Sequence, residues 1–424
     1  MSELIKKRDK CRLCESKNLH LVVPLSPTPV AEKYLTKNEL DKSEIICPLD
    51  LWMCEDCGHV QLIDIVEPKY LYSNYTYSSG RSEGLVRHFK DYADYINKNY
   101  KIPKHSLIVD IGSNDGTLLK FFKEFGLITL GIDPAIEIAN KATNEGIETL
   151  PEFFNLSLAR KILSKYGKAK VITANNAFAH MDNLKEIVEG IKILMDENSI
   201  FVFEISYLVD VINKVLLGTI FHEHHSYHSI KPLIKFFENF GLEIIDITRN
   251  NIQGGSLIGV VQFKHGKYKI NDSVDKIISI EKNNRIDEID TLKNFSKKLD
   301  LIKEKIRILL NKISDEKKII AGFGAARSGT TLISQMQIGG LIRYIVDDNQ
   351  DKQGKYSPGD KIIVRPTKYI YEEIPDYLLI LAWVHSKNII RNHKKYLEMG
   401  GSFIVCFPEL KIINKNNYNE LQSL

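Results

Sequence analysis

Leu107-Ile108-Val109-Asp110-Ile111-Gly112-Ser113-Asn114-Asp115-Gly116-Thr117-Leu118-Leu119 decides the fold. Apolar and β-branched residues run into Asp110 and then into Gly112 and Gly116. A helical apolar pattern (Leu118, Leu119, Phe121, Phe122, Phe125) follows at once, so the stretch reads as strand, tight turn and helix. That is the first βα unit of a doubly wound sheet. Glycine suits such a turn because a side chain would hold a ligand off the backbone and forbid the required φ values.

In an open parallel sheet, ligands bind beyond the carboxyl ends of the strands. The next strand, Ile128-Thr129-Leu130-Gly131-Ile132, ends in Asp133, an acid placed to grip ribose hydroxyls. The short glycine turn has no P-loop lysine, so an adenosyl ligand is expected, S-adenosylmethionine in particular. Asp110, Gly112, Ser113, Asn114, Gly116 and Asp133 are its candidate contacts, joined by Asn175 and Asn176 after a later strand. Further units follow: a strand over 170–174, a helix over 184–194, a strand over 199–204, and a late antiparallel pair over 243–249 and 255–263. Parallel alternation closed by a hairpin fits a class I methyltransferase architecture.

The region from Ser273 to Asn311 is charged and periodic, as one long amphipathic helix or two. It leads to a second glycine turn, Ile319-Ile320-Ala321-Gly322-Phe323-Gly324-Ala325-Ala326-Arg327-Ser328-Gly329, and a strand that ends in Asp347. The C-terminal third is therefore expected to be a second Rossmann-like domain. Taken together the chain should be α/β in three parts: a small zinc-binding domain (1–75), a central methyltransferase domain (76–268) and a C-terminal Rossmann-like domain (269–424).

The zinc expectation rests on Cys11-Arg12-Leu13-Cys14 and Cys54-Glu55-Asp56-Cys57-Gly58. Two residues between cysteines let both thiolates face one ion, and four sulfurs make a closed tetrahedral site with no position left for substrate, hence structural. Redox pairing is the weaker account, because one pair would suffice and neither pair heads a βα unit. Cys47 and Cys406 are expected as buried thiols. Between the knuckles and the first βα unit lies Tyr70-Leu71-Tyr72-Ser73-Asn74-Tyr75-Thr76-Tyr77-Ser78-Ser79-Gly80, a connector without an apolar stripe whose phenols can line a polar pocket.

At 424 residues the chain is too long for one ordinary core. Its 58 basic residues nearly balance 54 acidic ones, so charge gives no argument for nucleic acid, and the run Lys6 to Lys10 reads as a solvated terminus. No apolar run suits a bilayer span and no signal peptide is evident, so no membrane partner and a cytoplasmic location are expected.

Two histidine segments carry the chemistry. His180 follows a strand and should lie at the carboxyl edge of the sheet. Phe221-His222-Glu223-His224-His225 is denser, and its contiguous histidines would point different ways on a helix, unlike the zincin His-Glu-x-x-His pattern. Histidine suits proton removal at neutral pH and a neighbouring carboxylate raises its basicity, so acid/base work is the reading taken, over metal binding or a structural cluster.

In these motifs the chain resembles the nucleotide-sugar C-methyltransferases that build branched deoxysugars, including the TDP-sugar 3-C-methyltransferases of tetronitrose biosynthesis. The likeness takes in the two Cys-x-x-Cys pairs, Tyr75-Thr76-Tyr77-Ser78-Ser79, Ile111-Gly112-Ser113-Asn114-Asp115-Gly116, Asn175-Asn176 with His180, His222-Glu223-His224, and Val346-Asp347-Asp348-Asn349 with Lys352-Gln353-Gly354. It implies methyl transfer from S-adenosylmethionine to C3 of a 4-keto-deoxysugar on a nucleoside diphosphate (TDP, with GDP or CDP as alternatives) through an enolate. By the same resemblance His224 is the base, Glu223, His180 and Tyr75 shape the site and help hold the enolate oxygen, Tyr77 is a further catalytic-site residue, and His222, Phe221, Arg327 and Ser328 meet the sugar nucleotide. This chain departs from the pattern at Phe221, where the family commonly has tyrosine, and at Arg327-Ser328-Gly329-Thr330, where the family usually reads Ala-Lys-Gly-Asn. Arg327 is expected to take over from that lysine. The rival readings are sugar O-methylation, a dinucleotide-dependent oxidoreductase built on the second glycine turn with Asp347 on a ribose, and a zinc-ribbon RNA-binding protein.

Overall fold

A computed structural model describes residues 4–72, 75 and 77–423. Ser73, Asn74 and Thr76 of the tyrosine-rich connector lie outside the described residues. The central sheet comprises β1 (Leu107–Ile111), β2 (Ile128–Ile132), β3 (Thr149–Leu150), β4 (Val171–Asn175), β5 (Ile200–Ser206), β6 (Leu242–Asn250) and β7 (Ser256–Phe263). Their spatial order is β3-β2-β1-β4-β5-β7-β6. The first five run parallel and β7 lies antiparallel between β5 and β6. Every residue of β1 is buried, as a strand covered by helices on both faces must be. The order reverses between β1 and β4, which makes the carboxyl ends of those two strands the switch point where a ligand fits.

The C-terminal sheet has β8 (Ile320–Phe323), β9 (Ile345–Asp347), β10 (Val364–Pro366), β11 (Tyr377–Ile380), β12 (Ser402–Val405) and β13 (Lys411–Ile413), in the order β10-β9-β8-β11-β12-β13. All pairs are parallel except the last. Its switch point lies between β8 and β11. Helices Asp272–Asn284 and Ile289–Asp315 link the two sheets; the periodic segment breaks into two because Arg285 adopts φ 51°, a left-handed cap that ends the first.

The N-terminal domain carries a small antiparallel sheet of Leu19–Val23, Leu51–Cys54 and Val60–Gln61. Its fourth strand comes from far along the chain: Ser226–Tyr227, directly after the histidine run, pairs with Val60–Gln61. The Leu62 N–H also donates to the His225 carbonyl at 2.9 Å. Arg12, between two knuckle cysteines and only 1% exposed, donates to Gln61 and Leu62 and reaches Asp182 at 3.1 Å.

Two local expectations are corrected. The basic run at the N-terminus is not free: Ile5–Lys7 pairs as a strand with Asp64–Val66, and Arg8 donates to Asp182 at 3.2 Å. Long basic side chains leave the backbone free to pair while their heads stay in water or find an acid. The tyrosine-rich connector starts inside a single helical turn, Pro68–Tyr72, and closes on a 3-10 turn, Ser79–Arg81, both too short to show a period. Among the described residues no helix is long and apolar enough to cross a membrane. Cys47 and Cys406 are buried free thiols.

Candidate active site

One cavity of about 780 Å³ collects both glycine turns, the connector and the histidine run. Its walls come from all three parts of the chain: Glu32 from the first, Asp133, His180 and His224 from the second, Arg327 and Trp383 from the third.

At the first switch point, Gly112 takes φ +77°, and a Cβ there would sit 2.5 Å from the Ala177 Cβ. The bare turn is what lets the backbone come up to a ligand. Asp133 accepts from the Asn114 N–H and the Ala135 N–H, both at 2.9 Å, which fixes its carboxylate at the end of β2. Burial pushes Asp133 up to about 6, against those N–H bonds. Asp110 accepts from Thr173 Oγ1 at 2.6 Å and burial raises it to about 7. Ser113, Asn175 and Asn176 also line the cavity, and both amide atoms of Asn175 are buried without a hydrogen-bond partner. Such orphaned atoms at the carboxyl edge of β4 are donor and acceptor capacity waiting for a ligand. Gly116 does not reach the cavity; it is packed against Ile147 and serves the turn.

The connector is sewn to this turn. The Ser79 N–H donates to Asn114 Oδ1 at 2.9 Å, Asn114 Nδ2 to the Tyr77 carbonyl at 3.0 Å, and Gly80 N–H to Asp115 at 2.8 Å. Arg81 then bridges to Asn349 and Asp351 of the C-terminal domain at 2.9 and 2.8 Å. Tyr75 and Tyr77 are thereby held in the cavity wall.

The His224 Nδ1 lies 2.7 Å from the Thr219 carbonyl. A carbonyl can only accept, so Nδ1 carries the proton and Nε2 is the free lone pair. Burial pushes His224 down to about 4, so the ring is neutral at physiological pH. His180 lies beside it, ring centroids 5.0 Å apart, with its Nδ1 3.2 Å from the Tyr72 hydroxyl. Phe221 packs on His224 at 4.0 Å. Gly218, just upstream, lies so close to the C-terminal domain that a Cβ would meet Trp383 Nε1 at 2.3 Å.

Two expected contacts stand elsewhere. His222 Nε2 is 3.1 Å from the Cys47 carbonyl, so its ring points into the N-terminal domain and away from the cavity. Glu223 stands behind the wall, 1% exposed, with Oε1 3.7 Å from Arg327 Nε. Ser328 lines the cavity and its Oγ donates to the Leu381 carbonyl at 3.1 Å. Sequence reasoning missed Glu32 and Thr219, and it gave no individual role to Tyr72 or Lys352. Glu32 pairs with Lys352 at 3.0 Å and with Arg327 at 3.3 Å, contacts across some 300 residues that no local pattern announces.

The four knuckle cysteines converge, their sulfurs all within 4.8 Å of one another. The Cys11–Cys57 and Cys14–Cys54 separations are 3.6 and 3.5 Å, far too long for disulfides. A tetrahedron with Zn–S bonds of about 2.3 Å has edges of about 3.8 Å, so the sulfur cage fits a zinc ion. All four ligands are protein sulfurs, which makes the site structural.

Three family models match the chain in succession. Residues 11–72 match a zinc binding domain, residues 86–247 a methyltransferase domain, and residues 251–408 a C-methyltransferase C-terminal domain. The chain is 30% identical to C-methyltransferase NovU of Streptomyces niveus over 98% of its own length and 99% of that protein. Among solved structures, it is similar to an S-adenosylmethionine-dependent methyltransferase from Clostridium acetobutylicum (14% identity, 42% of this chain, 92% of that chain, TM-score 0.35). It is also similar to the magnesium protoporphyrin IX methyltransferase of Synechocystis with bound S-adenosylmethionine (13% identity, 43% of this chain, 80% of that chain, TM-score 0.33). With its zinc-binding domain, its class I methyltransferase domain and its C-terminal domain in that order, the chain belongs to the family of S-adenosylmethionine-dependent C-methyltransferases.

Proposed function

We propose that the chain methylates C3 of a nucleoside-diphosphate-linked 4-keto-deoxysugar through a base-generated enolate. The observation that carries this is the fixed tautomer of His224: Nδ1 is spent on the Thr219 carbonyl at 2.7 Å, and the ring lines the cavity beside His180. A buried neutral imidazole with one free lone pair is suited to removing a proton from carbon next to a carbonyl. The C3–H proton goes to Nε2, its electron pair forms the C3–C4 double bond, and the C4 oxygen takes the negative charge. C3 then attacks the methyl carbon, the S–CH3 bond breaks, and S-adenosylhomocysteine leaves. General-base help supplies roughly a hundred- to ten-thousand-fold, and the rest comes from holding the two substrates in line.

A cavity of about 780 Å³ lies in the upper part of the range for ligand sites and suits two substrates together. In this reading Asp133 takes the ribose of the methyl donor and Asn175 its adenine or methionine end, both lining the cavity. The C-terminal turn, with Ala325, Ala326, Asp347 and Asn349 in the wall, is placed for the nucleotide of the sugar donor.

The test is mass spectrometry of reactions with S-adenosylmethionine and TDP-, GDP- and CDP-linked 4-keto-deoxysugars, in water and in deuterium oxide. A gain of one methyl group with enzyme-dependent deuterium uptake at C3 is expected. Methylation of sugars with free hydroxyls and no exchange would instead mean O-methylation, with the histidines activating an alcohol.

A further inference from the structure

Arg327 is a cavity charge enclosed by three aromatic rings and two carboxylates. It stands at the start of the helix after β8, yet every group around its head comes from elsewhere in the chain. The guanidinium carbon lies 4.9 Å from the Tyr75 ring centroid, 5.2 Å from that of Tyr77 and 5.7 Å from that of Phe221. Its Nη2 donates to the Tyr75 hydroxyl. Its Nε is 3.3 Å from Glu32 and 3.7 Å from Glu223, and Lys352 stands on the far side of Glu32 at 3.0 Å. The side chain keeps 15% exposure, and the cavity is the space it lines.

Two cations thus meet two carboxylates, but the carboxylates are not equivalent. Burial would raise Glu32, yet Lys352 and Arg327 outweigh it and hold Glu32 below its ordinary range. At Glu223 burial prevails over Arg327 and Lys33 and raises it, and its Oε2 has no hydrogen-bond partner. Arg327 and Lys352 bring positive charge to the cavity wall beside these carboxylates. In a buried site such a field favours a substrate that becomes an anion.

Three groups beside Arg327 and His224 are unavailable to hold an oxyanion, whereas His180 Nε2, Asn175 Nδ2 and Trp383 Nε1 are buried without a partner in the same cavity. Phe221 has no donor, His224 Nδ1 is bound to Thr219, and Tyr72 is bound to His180. Tyr75 is set apart from these by its contact with Arg327: its oxygen accepts from the guanidinium, so its own O–H is free to donate into the cavity. A phenol that accepts from a cation becomes a stronger donor in turn. Burial raises the Tyr75 hydroxyl, and Arg327 is the largest influence opposing it.

We propose that Arg327 is a positioning residue that polarises Tyr75 so that the Tyr75 hydroxyl holds the enolate oxygen of the substrate. This rests on the C3-methylation reading. The experiment isolates enolate formation: deuterium uptake at C3 of the keto-sugar with S-adenosylhomocysteine in place of the methyl donor, for wild type, Arg327→Met, Arg327→Lys, Tyr75→Phe and the Tyr75→Phe/Arg327→Met pair. Loss of one oxyanion donor costs about 10²–10³ in rate. Exchange should fall by about that factor in Arg327→Met and in Tyr75→Phe, and KM for the sugar should change only a few-fold. The double variant should be no slower than Tyr75→Phe alone, because Arg327 acts through the phenol. Arg327→Lys, which keeps the charge if the Met variant fails to fold, should lose about tenfold.

Exchange in Arg327→Met or Arg327→Lys at the wild-type rate, or losses that multiply in the double variant, would overturn the proposal. Wild-type enzyme that exchanges no keto-sugar would instead overturn the reaction reading, so the two failures are distinguishable.

Discussion

Acid should unfold this protein through its buried histidines. His222 and His224 are pushed down to about 4 and His225 and His228 to about 3, in each case first by burial. Neither nitrogen of His225 or His228 has a hydrogen-bond partner, and the Arg12 guanidinium opposes a charge on both. Asp182 helps His225 only in part.

An unfolded histidine titrates near 6.5, so below that pH the unfolded chain takes up protons the folded one refuses. The contribution to stability is complete above about pH 6.5 and falls as the pH drops towards 4. At pH 5.0 each such group costs about 2 kcal/mol, and four independent ones about 8 kcal/mol. Halving that for neighbours that titrate together leaves about 4 kcal/mol, a large share of the roughly 5–15 kcal/mol of a typical domain. Thermal melts by far-UV circular dichroism between pH 7.5 and 5.0 should therefore lose at least about 5 °C. His228→Gln, which removes one of at least six such rings, should flatten the slope measurably. A melting temperature unchanged over that pH range would refute the reasoning. A zinc indicator in the same titration decides the alternative: metal released before the structure melts would assign the loss to the cysteines.

His224→Gln should lower turnover by about 10²–10⁴ while calorimetry shows S-adenosylmethionine binding intact. Gly112→Ala adds a methyl 2.5 Å from the Ala177 Cβ at φ +77°, and S-adenosylmethionine affinity should fall more than tenfold in the same assay. Asp133→Ala should weaken that affinity as well, and a wild-type value would remove it as the ribose contact. Metal analysis should give one zinc per chain, lost together with the folded state in the Cys54→Ser/Cys57→Ser protein.

What was legible in the sequence was local. Leu107 to Gly116 declares strand, turn and helix within ten residues, and each cysteine pair declares a knuckle within four. The three-part α/β architecture followed from such units in order. The cavity's ionic centre was not legible, because Glu32 finds Lys352 across 320 residues and its partner Arg327 across nearly as many. The orientation of the His222-Glu223-His224 run was also hidden. It has no helical or strand period, so only the Thr219 and Cys47 carbonyls decide which ring faces substrate. Arg327 was expected as a substitute for a lysine that meets the nucleotide; its enclosure by Tyr75, Tyr77, Phe221, Glu32 and Glu223 could not be read from the turn that carries it.

The pairing of Val60–Gln61 with Ser226–Tyr227 has a consequence for how such a protein can change over time. One residue separates His224, the proposed base, from a strand whose sheet neighbour among the described residues belongs to the cysteine-knuckle domain. A foreign knuckle spliced onto this methyltransferase would have to reproduce not just a fold but one strand edge in register. The two modules are therefore bound to be inherited and exchanged as a single piece, and a shortage of zinc in the cell becomes a shortage of carbon–carbon bond formation.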